Sequence, residues 1–404
     1  MRSAGSIRPG SVIGILGGGQ LGRMTAMAAR SYGYRVQVLD PDPACPARFV
    51  VDSCISADFH DARAAAGFAR GSDVVTLDVE GLSPEVLHAV SAFAPLRPSE
   101  SLLRMIQDRC QQKSWLQSHG FPVAPFACAQ DQDELQRALD ALSVPCFVKC
   151  ARGGYDGRGQ FVAEGSQQAA AAWAAIGERP CVVETKLQLA HELSVLIARR
   201  PSGEQRAFPI ALNHHADRVL RWSVLPAPEH AVSEALAVQI QQLAAELAST
   251  VQLEGLLAVE LFVTTRGDLF INELAARPHN TFHATERACS SSQFEQHVRA
   301  VCDLPLADVS LLRPAAIVNL FGDLWLPGAA GGDRSVDLPA LDLTQALSVP
   351  TLRLHLYEKR VPRPGRKMGH LSALGDTPEQ ALQRVRSALE RLDAQSLSRK
   401  ENPR

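Results

Sequence analysis

Residues 147–160 read Phe-Val-Lys-Cys-Ala-Arg-Gly-Gly-Tyr-Asp-Gly-Arg-Gly-Gln. A short apolar strand, Phe147–Lys149, ends in a lysine. It gives way to Arg152–Gln160, where four glycines and two arginines fall within nine residues. Glycine-rich backbone exposes consecutive N–H groups, and guanidinium groups beside them add fixed positive charge, so the stretch suits a lid closing over a polyphosphate. A solvent-exposed hairpin loop is the competing reading of these residues taken alone.

Working outward toward the C-terminus, strand Cys181–Val183 runs into Glu184-Thr-Lys-Leu187. An acid followed by an apolar hinge suits adenine, whose edge offers an amino donor and a ring acceptor to backbone groups. Glu192 begins the next strand, Glu192–Ala198, and is placed to accept from ribose hydroxyls; an ordinary solvated strand-end acid is the alternative for each. Further on, Leu257–Phe262 (LAVELF) and Leu269–Leu274 (LFINEL) flank a turn at Arg266-Gly267-Asp268 and predict a hairpin. It carries Glu260, Asn272 and Glu273 in an apolar setting. Buried carboxylates are costly unless paired or metal-bound, and hard oxygen donors suit Mg²⁺ with nucleotide phosphates. In the following Arg277-Pro-His-Asn280 run, His279, Asn280 and His283 are candidates to bind substrate or order the carboxylates. His279 and His283 as a zinc pair lack a third ligand at matching spacing.

Toward the N-terminus, Ser11–Leu16 predicts a strand, and Gly17-Gly-Gly-Gln-Leu-Gly22 opens a helix over Leu21–Ala29. Strands at Arg35–Leu39 and Asp73–Leu77 alternate with helices at Ala62–Ala69 and after Ser83-Pro84-Glu85, where Ser is the N-cap and Pro the first helical residue. This alternation predicts parallel βαβ units. Gly17-x-Gly19-x-x-Gly22 followed by Asp40 matches a dinucleotide fingerprint, so an NAD(P)-dependent oxidoreductase is one reading of this segment. A mononucleotide phosphate fits the same glycines equally well, and a tight turn with no ligand is the plain alternative.

The chain has 404 residues, with 41 Lys+Arg against 43 Asp+Glu and 46% hydrophobic residues. That balance is globular and near neutral, and it excludes a nucleic-acid-coating protein, which needs a basic excess. Nine scattered cysteines with no Cys-x-x-Cys predict no disulfide framework or structural zinc, and hence a reducing, cytoplasmic setting. No signal peptide or membrane span is read. Only six of the 41 basic residues are lysines: Lys113, Lys149, Lys186, Lys359, Lys367 and Lys400. Against an arginine background, a retained lysine marks a place where its geometry matters.

Taken together, these motifs resemble the ATP-grasp superfamily, and within it the 5-(carboxyamino)imidazole ribonucleotide synthases of purine biosynthesis. The marks are GGGQLGRM (Gly17–Met24), RGGYDGRGQ (Arg152–Gln160), NELAARPHN (Asn272–Asn280) with SQFEQH (Ser292–His297), and HLYEK (His355–Lys359) with RPGRKMGH (Arg363–His370). The resemblance implies an ATP site of Arg109, Lys149, the lid Gly154, Tyr155, Asp156, Gly157, Arg158, Gly159 and Gln160, the hinge Glu184, Thr185, Lys186 and Leu187, then Glu192, His215, Asn272 and Glu273. It implies Mg²⁺, with Mn²⁺ as an alternative, on Glu260 and Glu273. The aminoimidazole ribonucleotide is implied at Gln20, Leu21, Glu80, Asp156, Lys359 and Arg366, and Asp156, Arg277, Lys359 and Arg366 are the implied catalytic residues. The implied reaction converts bicarbonate with ATP to carboxyphosphate and transfers the carboxyl to the substrate amine, in a homodimer that binds neither nucleic acid nor membrane. A sister ATP-grasp enzyme, such as a formate-dependent glycinamide ribonucleotide transformylase, is the nearest rival; RPGRKMGH argues against it.

The implied architecture is α/β and α+β: a Rossmann-like pre-ATP-grasp domain (1–105), an ATP-grasp domain pair (106–305) and a small C-terminal domain (306–404). The last holds a Gly-rich exposed loop, Gly328–Arg334, an amphipathic helix over Thr377–Leu392 and a frayed tail from Ser396 to Arg404. The chain departs from the family pattern at Arg158 (usually Lys), Leu212 (usually an acid), Asp78 (usually Glu), Ala276 (usually Pro) and Thr281-Phe282 (usually Ser-Gly).

Overall fold

The computed structural model describes residues 5–142, 144–153, 159–216, 218–326 and 343–401, with side chains as far as Leu392. The expected lid residues Gly154, Tyr155, Asp156, Gly157 and Arg158, and the loop Gly328–Arg334, lie outside the described residues.

The N-terminal segment alternates as its periodicity predicts: β1 (Val12–Leu16), α1 (Gln20–Ser31), β2 (Arg35–Asp40), β3 (Ser53–Ser56), α2 (Ala62–Arg70), β4 (Val74–Leu77) and α3 (Pro84–Ser91). The strands form a parallel sheet ordered β3-β2-β1-β4. β4 is buried at all four positions, as a strand covered on both faces must be. Ser83 caps α3, its hydroxyl accepting from Val86 N–H with Pro84 next in the chain.

Helices α4 (Glu100–Ile106) and α5 (Arg109–Ser118) lead into β5 (Phe126–Ala129), α6 (Gln132–Ala141), β6 (Cys146–Cys150), β7 (Gln160–Ala163), α7 (Ala169–Ala175) and β8 (Cys181–Thr185). These four strands form an antiparallel sheet, β5-β8-β6-β7, under α6 and α7. Cys110 on α5 and Cys128 on β5 are joined as a disulfide. The scattered cysteines gave no sign of it, because only the packing of α5 against β5 brings the pair together; the other seven cysteines form no disulfide among the described residues.

A third sheet contains nine strands: β9 (Leu189–Arg199), β10 (Gln205–Ala207), β11 (Ala211–Ala216), β12 (Val219–Leu225), β13 (Gly255–Thr264), β14 (Leu269–Ala275), β15 (Ala315–Phe321), β16 (Arg353–Leu356) and β17 (Lys367–Leu374). Its order is β14-β13-β9-β11-β12-β15-β17-β16, with β10 on the flank of β9. Strands from the C-terminal segment thus extend the sheet that carries Glu260 and Glu273. α8 (Glu234–Thr250), α9 (Thr285–Ala288), α10 (Gln293–Val301), α11 (Thr344–Leu347) and α12 (Pro378–Glu401) complete the described helices. α12 buries Ala381, Val385, Ala388 and Leu392 against β15 and β17, the stripe its sequence predicts. It continues to Glu401 where a frayed tail was expected from Ser396, because no Gly or Pro interrupts the chain before Pro403. A continuous apolar cluster joins Leu16, Leu77 and Val86 of the first domain to Leu193, Val259 and Ile271 of the large sheet.

Candidate active site

The glycine turn after β1 is built for close backbone approach. Gly17 has φ +96°, and a Cβ on Gly22 would lie 2.4 Å from the Gly17 carbonyl oxygen. Asp40, the acid that completes the dinucleotide pattern, accepts from Gly18 N–H at 2.7 Å and Asp42 N–H at 2.8 Å. Its carboxylate braces the turn, so the fingerprint lacks a free ribose acceptor.

On the β5-β8-β6-β7 sheet, Lys149 of β6 and Glu184 of β8 meet Lys113 of α5. Glu184 Oε1 lies 2.6 Å from Lys113 Nζ, and Oε2 lies 2.5 Å from Lys149 Nζ. Burial raises the Glu184 carboxyl, but Lys149 and Lys113 outweigh it and hold its pKa at about 2. Lys113 moves the other way: burial lowers its pKa despite the contact with Glu184. The two directions agree with one excess positive charge, because two lysines share one carboxylate. Both oxygens of Glu184 are thus taken by the lysines. Lys186 reaches Glu164 at 3.9 Å. Gly159 and Gln160 lead from the lid into β7.

Opposite lie the acids. Glu260 on β13 and Glu273 on β14 are direct cross-strand partners, with a register shift after Glu260. Asn272 Nδ2 donates to Glu260 Oε2 at 3.1 Å, and His279 Nε2 lies 3.3 Å from Oε1. Burial raises the Glu260 carboxyl, yet its bonds from His279 and Asn272 and the charge of His215 bring it to about 2. Arg109, the first residue of α5, reaches across to Glu273 at 2.7 Å, and that carboxylate raises the guanidinium pKa. Glu192 on β9 hydrogen-bonds His215 Nδ1 on β11. Burial disfavours the charged His215 ring, but Glu192 prevails and raises its pKa. Two opposed carboxylates with a carboxamide are a hard-oxygen set that fits Mg²⁺.

The third side joins the first domain to the C-terminal hairpin. Lys359 Nζ donates to Gln20 Oε1 at 2.6 Å and to the Lys367 carbonyl at 2.9 Å. Arg23 grips Glu358 with two bonds of 3.0 Å. Arg366 donates to the Val361 carbonyl at 2.7 Å. Leu21 is buried against Met24, Phe294 and Tyr357, so its side chain is core. Arg277, just past β14, lies 3.1 Å from Glu80, though one buried Glu80 oxygen has no aligned hydrogen bond. Asp78 Oδ2 is likewise buried without a partner; burial pushes its pKa up to about 6 against the pull of Gly22 N–H, Arg277 and Lys359.

His279 therefore orders a carboxylate, as one reading of its run allowed. Asn280 donates to Asn319 at 3.0 Å; His283 stacks on His370, while His279 Nε2 is engaged with Glu260. Of the departures, Phe282 is fully buried against Phe208, and Leu212 packs between two cores. Sequence reasoning missed Glu358 as the partner of Arg23, and missed that Glu286 approaches His355 and His370. The signal was present only in that both histidines stand in the C-terminal marks.

The chain matches the ribonucleotide synthetase preATP-grasp domain over residues 11–107, the ATP-grasp domain over 114–294 and the phosphoribosylaminoimidazole carboxylase C-terminal domain over 315–384. It is 38% identical over 379 residues to the N5-carboxyaminoimidazole ribonucleotide synthase of Bacillus subtilis, covering 94% of this chain and 95% of that one. Its fold is similar to a solved N5-carboxyaminoimidazole ribonucleotide synthetase in its ADP complex, with TM-score 0.88, 37% identity and coverage of 98% and 100%. The Aspergillus clavatus enzyme in complex with ADP and 5-aminoimidazole ribonucleotide matches with TM-score 0.83 at 28% identity, covering 95% and 99%.

Proposed function

The chain belongs to the N5-carboxyaminoimidazole ribonucleotide synthase family, and we propose that it carboxylates the exocyclic amine of 5-aminoimidazole ribonucleotide with bicarbonate and ATP, releasing ADP and phosphate. The observation that carries this reading is the meeting of three charged walls. Arg277 links Glu80 of the first domain to the strand end beside Glu273, and Arg109 links Glu273 to the lysine wall.

Bicarbonate is a poor electrophile. Transfer of the γ-phosphoryl group to its oxygen gives carboxyphosphate, and attack by the substrate amine then expels phosphate while the amine loses a proton. Phosphoryl transfer leaves the protein mainly positioning and charge neutralisation. Lys149 and Arg109 supply positive charge for the phosphates, and the surplus charge at Lys113 and Lys149 favours an anion there. Glu260 and Glu273, with Asn272, would hold Mg²⁺, which supplies neutralisation of phosphate charge when bound. Backbone at Thr185–Leu187 takes adenine, and Glu192 with His215 takes the ribose end. Lys359 and Arg366 hold the ribonucleotide phosphate, and Gln20 and Glu80 line its base. Asp156 of the lid orients the amine by the resemblance, and closure excludes water from the labile intermediate.

Residues 1–105, 106–305 and 306–404 are the working division, and a cytoplasmic homodimer completes the reading. Among the described residues no helix is long and apolar enough to cross a membrane. The test is phosphate release from ATP with the aminoimidazole ribonucleotide, with and without bicarbonate. Release dependent on both is expected; folded protein with Mg²⁺ that shows no substrate-dependent release would sink the reading.

A further inference from the structure

Behind the hairpin that carries Lys359 lies a second group of ligating side chains. Glu286 on α9, His355 on β16 and His370 on β17 each place one donor atom within 4.8 Å of the others. His355 Nδ1 and Glu286 Oε2 are 3.3 Å apart. That is close to the ~3.4 Å edge of a tetrahedron with bonds of ~2.1 Å, the length of zinc–nitrogen and zinc–oxygen bonds. His370 is 1% exposed, and its Nε2 is buried without a hydrogen-bond partner. Its Nδ1 lies 2.7 Å from the buried Tyr357 hydroxyl. With the proton on Nδ1 donated to Tyr357, Nε2 presents a lone pair, the outer-sphere arrangement that usually orients a metal-bound imidazole. The ring is pinned from its other side by His283, stacked at 4.5 Å.

The geometry points to Glu286, His355 and His370 as a binding site for one divalent transition-metal ion of the zinc class, distinct from the Mg²⁺ acids Glu260 and Glu273. Two imidazoles and a carboxylate are a borderline donor set that selects Zn²⁺ or Co²⁺ over Mg²⁺. An ion there clamps α9 to the β16–β17 pair, and so fixes the two strands whose connection carries Lys359 and Arg366.

The test uses the full chain, stripped with chelator and titrated with Co²⁺ or Zn²⁺ under saturating Mg²⁺. One equivalent of Co²⁺ with visible d–d bands, and a Zn²⁺-dependent rise in melting temperature, are expected. Glu286→Gln and His355→Gln, each verified as folded by circular dichroism, should weaken binding by ~100-fold or more. Glu273→Gln should keep the Co²⁺ spectrum. X-ray absorption of the zinc-loaded wild type provides a check that needs no variant: two imidazoles with oxygen support the site, and sulfur ligation overturns it. Wild-type protein that binds no Co²⁺ against Mg²⁺, or folded Glu286→Gln and His355→Gln that bind as tightly as wild type, also overturns it.

Discussion

The two walls of the nucleotide cleft carry opposite imbalances. On one wall, buried Lys113 of α5 and partly buried Lys149 of β6 share the single carboxylate of Glu184 on β8. On β13 and β14, Glu260 and Glu273 face each other with one arginine, Arg109, and the histidine His279 beside them. Each wall is short of the charge that Mg²⁺-ATP would bring, anion to one and cation to the other. A buried charge without full compensation costs stability, so the unliganded cleft is held in a state that the ligand relieves. Arg109 already reaches across to Glu273, and its neighbours on α5 do so too: Lys113 Nζ donates to the Ile271 carbonyl at 3.2 Å, and Gln112 Oε1 accepts from Leu274 N–H at 3.1 Å.

Breaking the acidic wall has the largest expected effect. Glu273→Ala removes one of the two carboxylates proposed to hold Mg²⁺ and the ion pair it makes with Arg109, and should lower kcat by ~10³-fold or more with the fold intact. Phosphate release and circular dichroism measure this; near-normal turnover would mean the acids are misassigned. Breaking the basic wall acts on stability. Glu184→Gln leaves Lys113 and Lys149 buried without their counter-ion and should cost ~3–5 kcal/mol in urea unfolding. The sign with pH follows from the lowered carboxyl: its contribution is present above about 4.5 and lost as pH falls toward about 2. The variant should lack that acid limb.

At the third wall, Asp78 shows the reverse sign. Its raised pKa means its contribution is present below 3.8 and lost as pH rises through about 6. Wild type should therefore lose up to ~3 kcal/mol relative to Asp78→Asn between pH 4 and 7, read by thermal melts at each pH. A flat difference would show that Asp78 is better solvated than its burial implies. The smallest effect is kinetic: Lys359→Ala should raise KM for the ribonucleotide ~10–100-fold, about 1.4–2.7 kcal/mol, with ATP binding unchanged. A defect in ATP binding alone would place Lys359 on the wrong wall.

Residue types announced much of this. The βαβ alternation, the Glu260–Glu273 hairpin and the caps at Ser83 and Pro84 are local patterns with fixed periods, and the structure follows them. Partnerships were less legible. Glu184 reads as an acid near adenine, yet two lysines from separate elements take both its oxygens. Asp40 reads as a ribose acid, yet it braces Gly18. In both cases the residue was correctly singled out, but its partner comes from a distant element, and a local pattern carries no information about such contacts. The rarity of lysine was the better guide, since Lys113, Lys149 and Lys359 all make specific contacts.

The nine-stranded sheet has a consequence for the order of folding. From β14 to β16 there are seven strand steps, about 34 Å if the sheet were flat. Yet Asp78 of the first domain feels both Arg277, just beyond β14, and Lys359, just beyond β16. A twist of roughly 20–25° per step accumulates to a half-turn or so over that distance, and the segments that follow β14 and β16 both reach the first domain, Arg277 at Glu80 and Lys359 at Gln20. The N-terminal domain then sits in the seam between them. Its contact with Lys359 spans 339 residues from Gln20 and exists only once β16 and β17 are in place. Closure over so long a sequence separation is intrinsically slow, so the wall around Gln20 and Lys359 is expected to form after the local hairpin of Glu260 and Glu273.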